Sequence, residues 1–518
     1  MCSLLDLPVF LRMEIFAFDP LDMHWQNKRM DKERDLARTK MEIKNKQALS
    51  RFEDILKQYQ NLRSIAMDIR RKHPVDLSLL RRVRKLRALS LDDMDNVPCQ
   101  VYESLSQLRQ LRALSFDTYS RESMHVVCTA MPWLQSFTLT TIHPIVPWSD
   151  IQTSMPNLEE LYVKMINAGV GFDDWHVILS MRQLRKLRIQ VTEPISTQEL
   201  RAFRGTHPLQ ELDLSYADLE SVSRMLFLLQ VFPDLESLTL GPAHVLGKHF
   251  FWRLQQFPRL KHLSLECIWW AAQHDYPIST IGLSPYLPLE SLCIQTHTVD
   301  QQLFEDHLCT LRHLELWTQV NSRSLVQTLS SLKNLESLKF RTIDDPDTCI
   351  RLEDMPRLKT CRLHYSTIEL CDLPVLESFK VRADNCLSIT VDSTPMVRTC
   401  KVTADSLPPE HLQTICQWPL YSFDLDVMNP TGLPEESLPI ISLPPTLVHF
   451  HYWPFKAVYW FSICEPNTTL QYVDICCERL NDHFLKQLER ARGLCFFYVR
   501  CGPTEKLLHG GDTSLRVF

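Results

Sequence analysis

Glycine is scarce in this sequence, at 11 of 518 residues. Phosphate-binding loops and dinucleotide-binding turns need glycines at fixed spacing because the backbone must approach the ligand closely. The sequence contains no G-x-x-x-x-G-K-[ST] and no G-x-G-x-x-G, and it also lacks the G-x-S-x-G elbow and the H-E-x-x-H zinc motif. We therefore predict a protein that is not an enzyme, with no catalytic residues, no cofactor and no metal.

Long apolar runs and a strong charge of one sign are also missing. No stretch of about 18 uncharged apolar residues occurs, so no transmembrane helix and no membrane partner are predicted. The net charge is −6 and the isoelectric point is near 6.3. Such a balance gives no general attraction to nucleic acid, and any binding of that kind would need a local patch.

The 17 cysteines lack the paired short spacings of a zinc site, and many replace apolar residues in the repeats described below. The first residues, Met1 to Pro8, have neither the basic flank nor the apolar core of a secretory signal. We therefore expect reduced, buried thiols and a cytoplasmic or nuclear location.

A short leucine pattern recurs along most of the chain. Leu235, Leu238 and Leu240 form L-x-x-L-x-L, and further copies begin at Leu209 and Leu260. The last two apolar positions are two residues apart, so they point to the same face of a short strand. One such strand cannot bury its face alone, whereas stacked copies form a continuous parallel sheet covered by the returning segments.

Nineteen units can be counted from the first apolar position of each copy. They begin at Leu62, Leu86, Leu111, Leu134, Leu158, Leu184, Leu209, Leu235, Leu260, Leu289, Leu311, Leu335, Leu358, Leu376, Val397, Leu420, Leu447, Leu470 and Leu494. The spacing resembles that of leucine-rich-repeat proteins. The predicted fold class is α/β: a leucine-rich-repeat solenoid, a curved horseshoe with a parallel concave sheet, over 62–518. The later units are degenerate and provide the C-terminal cap.

The segments that return from strand to strand show helical patterns at 196–203 and 300–309. The asparagine that usually follows the strand in this family is missing, so a regular ladder of buried asparagines is not expected. The aromatic-rich stretch 426–466 is interpreted as C-terminal capping of the core, with a partner pocket as the alternative.

The N-terminal 18 residues carry a second resemblance. Leu7, Pro8, Leu11, Ile15 and Phe16 match the opening of an F-box, L-x-x-L-P-x-E-L-x-x-x-I-F. The resemblance implies that these residues bind the linker protein of a cullin-RING ubiquitin ligase. The alternative is an amphipathic helix that caps the first repeat. Residues 26–61 are predicted to form one or two solvated helices, so 1–61 becomes a helical N-terminal segment.

In each unit the residue between the last two apolar positions points to the concave side. In four consecutive units this residue is basic: Lys339, Arg362, Lys380 and Lys401. Arg341 and Arg382, two residues further along their strands, share the same face. Strands stack about 4.8 Å apart, so a compact basic patch is predicted, suited to an acidic or phosphorylated partner. The alternative is a solvated surface of splayed side chains.

The function predicted from these observations is a protein-interaction adaptor. By the F-box resemblance it would recruit a substrate on its concave face to a cullin-RING ubiquitin ligase. The alternative is a leucine-rich-repeat scaffold or inhibitor with no ligase connection. A nucleic-acid-associated protein that uses the basic patch is a third and less favoured possibility.

Overall fold

The structure is a computed structural model. It describes residues 40–43, 53, 56, 61–68, 77–92, 99–118, 120–141, 146–165, 172–190, 206–214, 231–241, 254, 257–265, 288–296, 310–318, 329–342, 349–392, 396–427, 440–453, 460–463, 469–477, 484, 486–488, 491, 494, 496–501 and 504–509.

A sheet of 21 strands runs through the described residues. Its strands are β1 Lys40–Ile43, β2 Ser64–Asp68, β3 Ala88–Asp92, β4 Ala113–Asp117, β5 Ser136–Thr141, β6 Glu160–Met165, β7 Lys186–Gln190, β8 Glu211–Leu214, β9 Ser237–Leu240, β10 His262–Leu265, β11 Ser291–Thr296, β12 His313–Thr318, β13 Ser337–Thr342, β15 Thr360–His364, β17 Ser378–Cys386, β19 Thr399–Ser406, β20 Ser422–Val427, β22 His449–Tyr452, β24 Tyr472–Cys477, β25 Phe496–Cys501 and β26 Thr504–His509. Two small sheets contain the other strands: β14 Cys349–Glu353, β16 Thr367–Cys371 and β18 Ser388–Val391 in one, β21 Ile440–Leu443 and β23 Trp460–Ile463 in the other.

The parallel pairings from β1 to β25 follow chain order, and their register is that of the repeat. Leu238 lies opposite Leu212 on one side and Leu263 on the other. The degenerate units keep this register, since Cys361 pairs with Leu338 and Cys400 with Phe379. The leucine-rich-repeat solenoid predicted from sequence is thus confirmed as a fold, with one strand for each of the nineteen units.

The core lies on one face of this sheet. Leu235, Leu238 and Leu240 are each 0% exposed, as are Phe423 and Phe450 in the degenerate units. Burying a leucine or phenylalanine side chain contributes about 1.5–3 kcal/mol. Each strand contributes only two or three such residues, so one unit alone cannot offset the entropy of ordering its chain. Stability therefore comes from stacking neighbouring units.

Backbone hydrogen bonds link neighbouring units at the start of each strand. The carbonyl of the residue before a strand accepts the N–H groups of two residues in the next unit. Arg87 O, for example, accepts from Arg112 N at 2.8 Å and from Ala113 N at 2.9 Å. The same pair of bonds recurs from Arg63 O to Val448 O. These contacts need no particular side chain, so they recur in the degenerate units as well.

The residue before the strand alternates in charge through eight consecutive units: Glu236, Lys261, Glu290, Arg312, Glu336, Lys359, Glu377 and Arg398. Lys261 Nζ lies 3.0 Å from Glu236 Oε2, and Lys359 Nζ lies 2.9 Å from Glu336 Oε2. Exposed pairs of this kind contribute only about 0–1 kcal/mol each. Their alternation still favours the observed stacking, because like charges on adjacent strands would repel one another.

The N-terminal units return through helices. After a 3-10 turn at Leu77–Arg82, these are α1 Cys99–Ser106, α2 Arg121–Ala130, α3 Trp148–Ser154 and α4 Phe172–Ser180. Each packs on the next, in chain order. The helical patterns noted at 196–203 and 300–309 lie outside the described residues.

Units near the middle of the C-terminal half return through strands instead. β14, β16 and β18 pair in parallel and form a second sheet, whose buried residues Ile350, Ile368 and Ile389 belong to the same core as the main sheet. The unit from Leu358 to Leu376 has 18 residues. An extended chain advances about 3.3 Å per residue and an α-helix only about 1.5 Å. A unit this short can therefore cover the core with a strand but not with a helix of several turns. The segment that follows β19 is helical again, with α5 at Pro409–Cys416.

Two aspartates end consecutive return strands in the left-handed backbone region. Asp354 follows β14 with φ 53° and Asp372 follows β16 with φ 51°. Aspartate tolerates this conformation better than most residues because its short side chain can bond locally. Asp354 also forms an ion pair with Lys333 at 2.8 Å.

Both ends of the sheet carry an extra strand. β1 pairs in parallel with β2, with Met41 opposite Ile65. The solvated helix predicted for 26–61 is therefore wrong for Lys40–Ile43, because the exposed edge of β2 offers backbone groups that a strand satisfies and a helix cannot. At the other end β26 pairs with β25 in antiparallel fashion. The boundary at residue 61 stays a prediction.

The described aromatic residues of 426–466 pack mostly into the core. Phe461 lies 5.1 Å from Phe450, 4.8 Å from Tyr452 and 6.0 Å from Phe484, ring centroid to ring centroid. These contacts fit the capping interpretation. Trp453 differs, since it is 49% exposed.

Nine cysteines of the described residues are free thiols, five of them buried: Cys128, Cys361, Cys371, Cys400 and Cys416. Burial raises the pKa of the Cys128 and Cys416 thiols to about 12. Both thiols therefore stay protonated at neutral pH and behave as small apolar side chains.

Candidate concave-face binding site

The concave face of the sheet carries the side chains that lie between the buried leucines. The register places the four predicted basic residues side by side: Lys339 opposite Arg362, Arg362 opposite Lys380, and Lys380 opposite Lys401. Arg341, His364 and Arg382 form a second row in the same way. We call the six predicted residues Lys339, Arg341, Arg362, Lys380, Arg382 and Lys401 the basic patch.

The two outer cations of the first row are neutralised within the chain. Lys339 forms an ion pair with Glu315 on β12. Lys401 Nζ lies 2.6 Å from Asp424 Oδ2 on β20. Each lysine thus uses the carboxylate of the neighbouring strand, and both pairs mark the limits of the basic patch.

The two inner cations are different. Arg362 and Lys380 are exposed, and among the described residues neither has an ion pair or a hydrogen bond from its side chain. Parallel strands are spaced by about 4.8 Å, so the two like charges repel each other with no carboxylate between them. This unfavourable arrangement can be relieved by an anion from a partner.

The second row is also partly occupied. Arg382 Nε lies 3.2 Å from Asp384 Oδ1, and His364 Nε2 lies 3.0 Å from Asp384 Oδ2. Desolvation by burial lowers the pKa of His364, more than the nearby Asp384 raises it. His364 is therefore a neutral hydrogen-bonding residue rather than a further cation of the basic patch at neutral pH.

Trp317 forms the wall of the basic patch on the β12 side. Lys339 Nζ lies 4.8 Å from the centre of its ring and the Arg341 guanidinium lies 5.2 Å away. A cation over an indole contributes about 0.5–2 kcal/mol. Trp317 thus holds both side chains over the sheet. The repeat pattern alone does not single out Trp317. The sequence signal that could have found it is its position two residues after Glu315, which places it beside Arg341 in the second row.

Carboxylates and one exposed aromatic lie beyond Lys401. Asp424, His451 and Asp474 continue the first row on β20, β22 and β24. Asp426 lies in the second row, opposite Thr403. Trp453 N donates to Leu425 O at 2.9 Å, which continues the ladder and places Trp453 beside Asp426. The repeat pattern places Asp424, His451 and Asp474 in the first row, whereas Trp453 belongs to the stretch 426–466 that is interpreted as a cap.

The candidate F-box residues Leu7, Pro8, Leu11, Ile15 and Phe16 lie outside the described residues. In the described ranges no group of three or more His, Cys, Asp or Glu side chains could hold a metal ion. Within the same ranges, no helix combines the length and the apolar character required to cross a bilayer.

Comparison with known proteins gives structural similarity only. No family model and no curated protein matches the sequence. A solved TLR13–ssRNA13 complex matches with 17% identity and a TM-score of 0.34, over 76% of this chain and 60% of that chain. The Toll–Spatzle complex of Drosophila matches with 12% identity and a TM-score of 0.29, over 89% of this chain and 54% of that chain.

The fold is that of a leucine-rich-repeat solenoid. The register of the nineteen predicted strands decides this, because each strand pairs in parallel with the strand of the next unit. This chain spans about 60% and 54% of the length of the two matched chains. Similarity at this level carries no inference about ligands.

Proposed function

We propose that this leucine-rich-repeat solenoid is a protein-interaction subunit, without enzymatic activity, that binds an acidic or phosphorylated segment of a partner on its concave face. The observation that carries the proposal is the unpaired adjacency of Arg362 and Lys380 on an exposed parallel sheet. An arginine can bind a carboxylate or phosphate through two N–H groups, and the lysine adds a point charge.

The first test is a double charge reversal at the inner cations. Changing Arg362→Glu and Lys380→Glu should weaken the binding of a glutamate-rich or phosphoserine-containing peptide by about 10- to 100-fold, or about 1.4–2.8 kcal/mol. The reason is that each reversal replaces attraction by repulsion. Lys339 and Lys401 are left unchanged because Glu315 and Asp424 already neutralise them. Affinity is measured by fluorescence anisotropy across a salt series.

A matched control has the same change in net charge away from the basic patch. Arg357 and Lys486 are exposed and lie outside the concave strands, so Arg357→Glu with Lys486→Glu should leave affinity unchanged. Binding to the unmodified protein should also weaken with salt, because the Debye length falls to about 3 Å at 1 M. Equal affinities for both variants and a flat salt response would rule out the basic patch as the site.

We further propose, from the N-terminal resemblance alone, that the partner is a substrate delivered to a cullin-RING ubiquitin ligase in the cytoplasm or nucleus. Leu7→Ala with Pro8→Ala should abolish capture of the ligase linker protein and leave peptide binding on the concave face intact. If the unmodified protein captures no linker, the adaptor role fails and the scaffold or inhibitor role remains. If the double variant loses its repeat structure as well, the helix is a cap.

A further inference from the structure

The concave face has a charge boundary at the Lys401–Asp424 pair. On one side lie Arg362 and Lys380, which have no ion pair among the described residues. On the other side lie Asp426 and Asp474, on β20 and β24. A partner that lies across the strands therefore meets cations first and carboxylates next.

Asp426 is half-buried on the carboxylate side. Its side chain has no hydrogen bond or ion pair among the described residues. Burial raises its pKa, Lys401 opposes that shift and Asp424 adds to it. A carboxylate in this environment is stabilised by an additional cation at close range.

Trp453 supplies the second feature of that side. Its side chain is 49% exposed, and its ring lies 4.9 Å from His451, centroid to centroid. An exposed tryptophan beside a carboxylate is a suitable receptor for a lysine or arginine. The chain already shows this chemistry in the same row of the sheet, where Trp317 lies under Lys339 and Arg341.

We propose that the concave face binds a bipolar extended segment of a partner protein, with a carboxylate over Arg362 and Lys380 and a lysine or arginine over Asp426 and Trp453. This inference rests on the proposed function and adds the second half of the recognition site. Charge complementarity sets the direction of the segment across the strands.

Strand spacing sets the separation of the two charges. β20 lies two strands from β17 and three from β15. At about 4.8 Å per strand the distance is about 10–14 Å, which an extended chain spans with about three to five residues. A nucleic acid fits this surface less well, because its evenly repeated phosphates would meet Asp426 and Asp474 after leaving the basic patch.

The test compares fluorescent peptides on the full-length protein. The bipolar peptide has a glutamate pair and an arginine pair separated by about four neutral residues. The acidic peptide has neutral residues in place of the arginines, and a third peptide has the bipolar composition with its charges adjacent. We expect the bipolar peptide to bind about tenfold tighter than the other two, because it alone reaches both charge sites.

Two double variants test separately where each half of the bipolar segment binds. Asp426→Asn combined with Trp453→Ala should remove the tenfold advantage and leave the affinity for the acidic peptide unchanged. Arg362→Glu with Lys380→Glu should weaken the binding of both peptides.

The bipolar inference is overturned, and the proposed function kept, if the acidic and bipolar peptides bind equally and both depend on Arg362 and Lys380. If neither peptide binds, both fail, and tighter binding of a single-stranded oligonucleotide than of either peptide would also overturn the inference.

Discussion

Changing Trp418→Ala is expected to destabilise the units around α5 by about 3–5 kcal/mol, the usual cost of removing a large buried aromatic side chain. Trp418 is 1% exposed, and its ring meets Phe379 of β17 edge-on, with 5.7 Å between centroids. Its backbone N–H donates to Ile415 O at 3.1 Å, and its ring packs on β17, so the residue joins the end of α5 to the main sheet. Alanine would leave a cavity that these rigid strands cannot fill.

The effect should be local, because each unit of a solenoid contacts only its neighbours. Hydrogen exchange followed by mass spectrometry should show lost protection in α5, β17, β19 and β20, with β3 to β6 unchanged. Since β17 and β19 carry Lys380 and Lys401, binding of acidic peptides should weaken as well. Trp453→Ala is the matched control, because it makes the same change at an exposed tryptophan. It should lower the free energy of unfolding by only about 0.5 kcal/mol. Equal losses in the two variants would contradict the assigned burial.

A second large effect on stability is expected at acidic pH. His207 is 1% exposed, and its Nε2 donates to Met181 O at 3.1 Å. Its Nδ1 has no hydrogen-bond partner among the described residues, and its ring lies edge-on to Phe232 at 5.9 Å. Desolvation by burial lowers the pKa of His207 to about 4, the hydrogen bond to Met181 opposing the shift. The folded protein thus keeps this residue neutral.

Because the pKa of His207 is lowered in the folded chain, acid decreases the stability of the protein. Between pH 6.5 and about 4 the unfolded chain binds a proton that the folded chain does not, so stability falls as the pH decreases through this range. At one pKa unit per 1.36 kcal/mol, the loss reaches about 3 kcal/mol below pH 4. The lowered pKa values of His364 and His449 act in the same direction.

The measurement is the thermal midpoint at pH 7.5 and pH 5.0 for the unmodified protein and for His207→Gln. Glutamine keeps a donor for Met181 O but does not titrate, so the thermal midpoint of the variant should fall less on acidification than that of the unmodified protein. His262→Gln, an identical change at an exposed histidine, serves as the control. The same acid response in all three proteins would show that His207 does not set it.

The sequence alone determined the nineteen repeat strands of this protein and their register. Apolar residues two apart specify one buried face, and a slip by one residue would turn every leucine outward. The register therefore followed from the position of each first leucine, even where cysteine, phenylalanine or valine replaces the later ones. The row that contains Lys339, Arg362, Lys380 and Lys401 follows from the same periodicity.

Only the tertiary structure decided which of these charges are available. Residues such as Glu315 and Lys339 are far apart in sequence and meet because their strands are adjacent, and a long side chain can turn toward either neighbour. The pairing of Lys401 with Asp424, the place of Trp453 beside Asp426, and the strand at Lys40–Ile43 depend on that lateral packing. Repeat periodicity fixes which face a residue occupies, whereas the charge that remains at the surface depends on contacts between units.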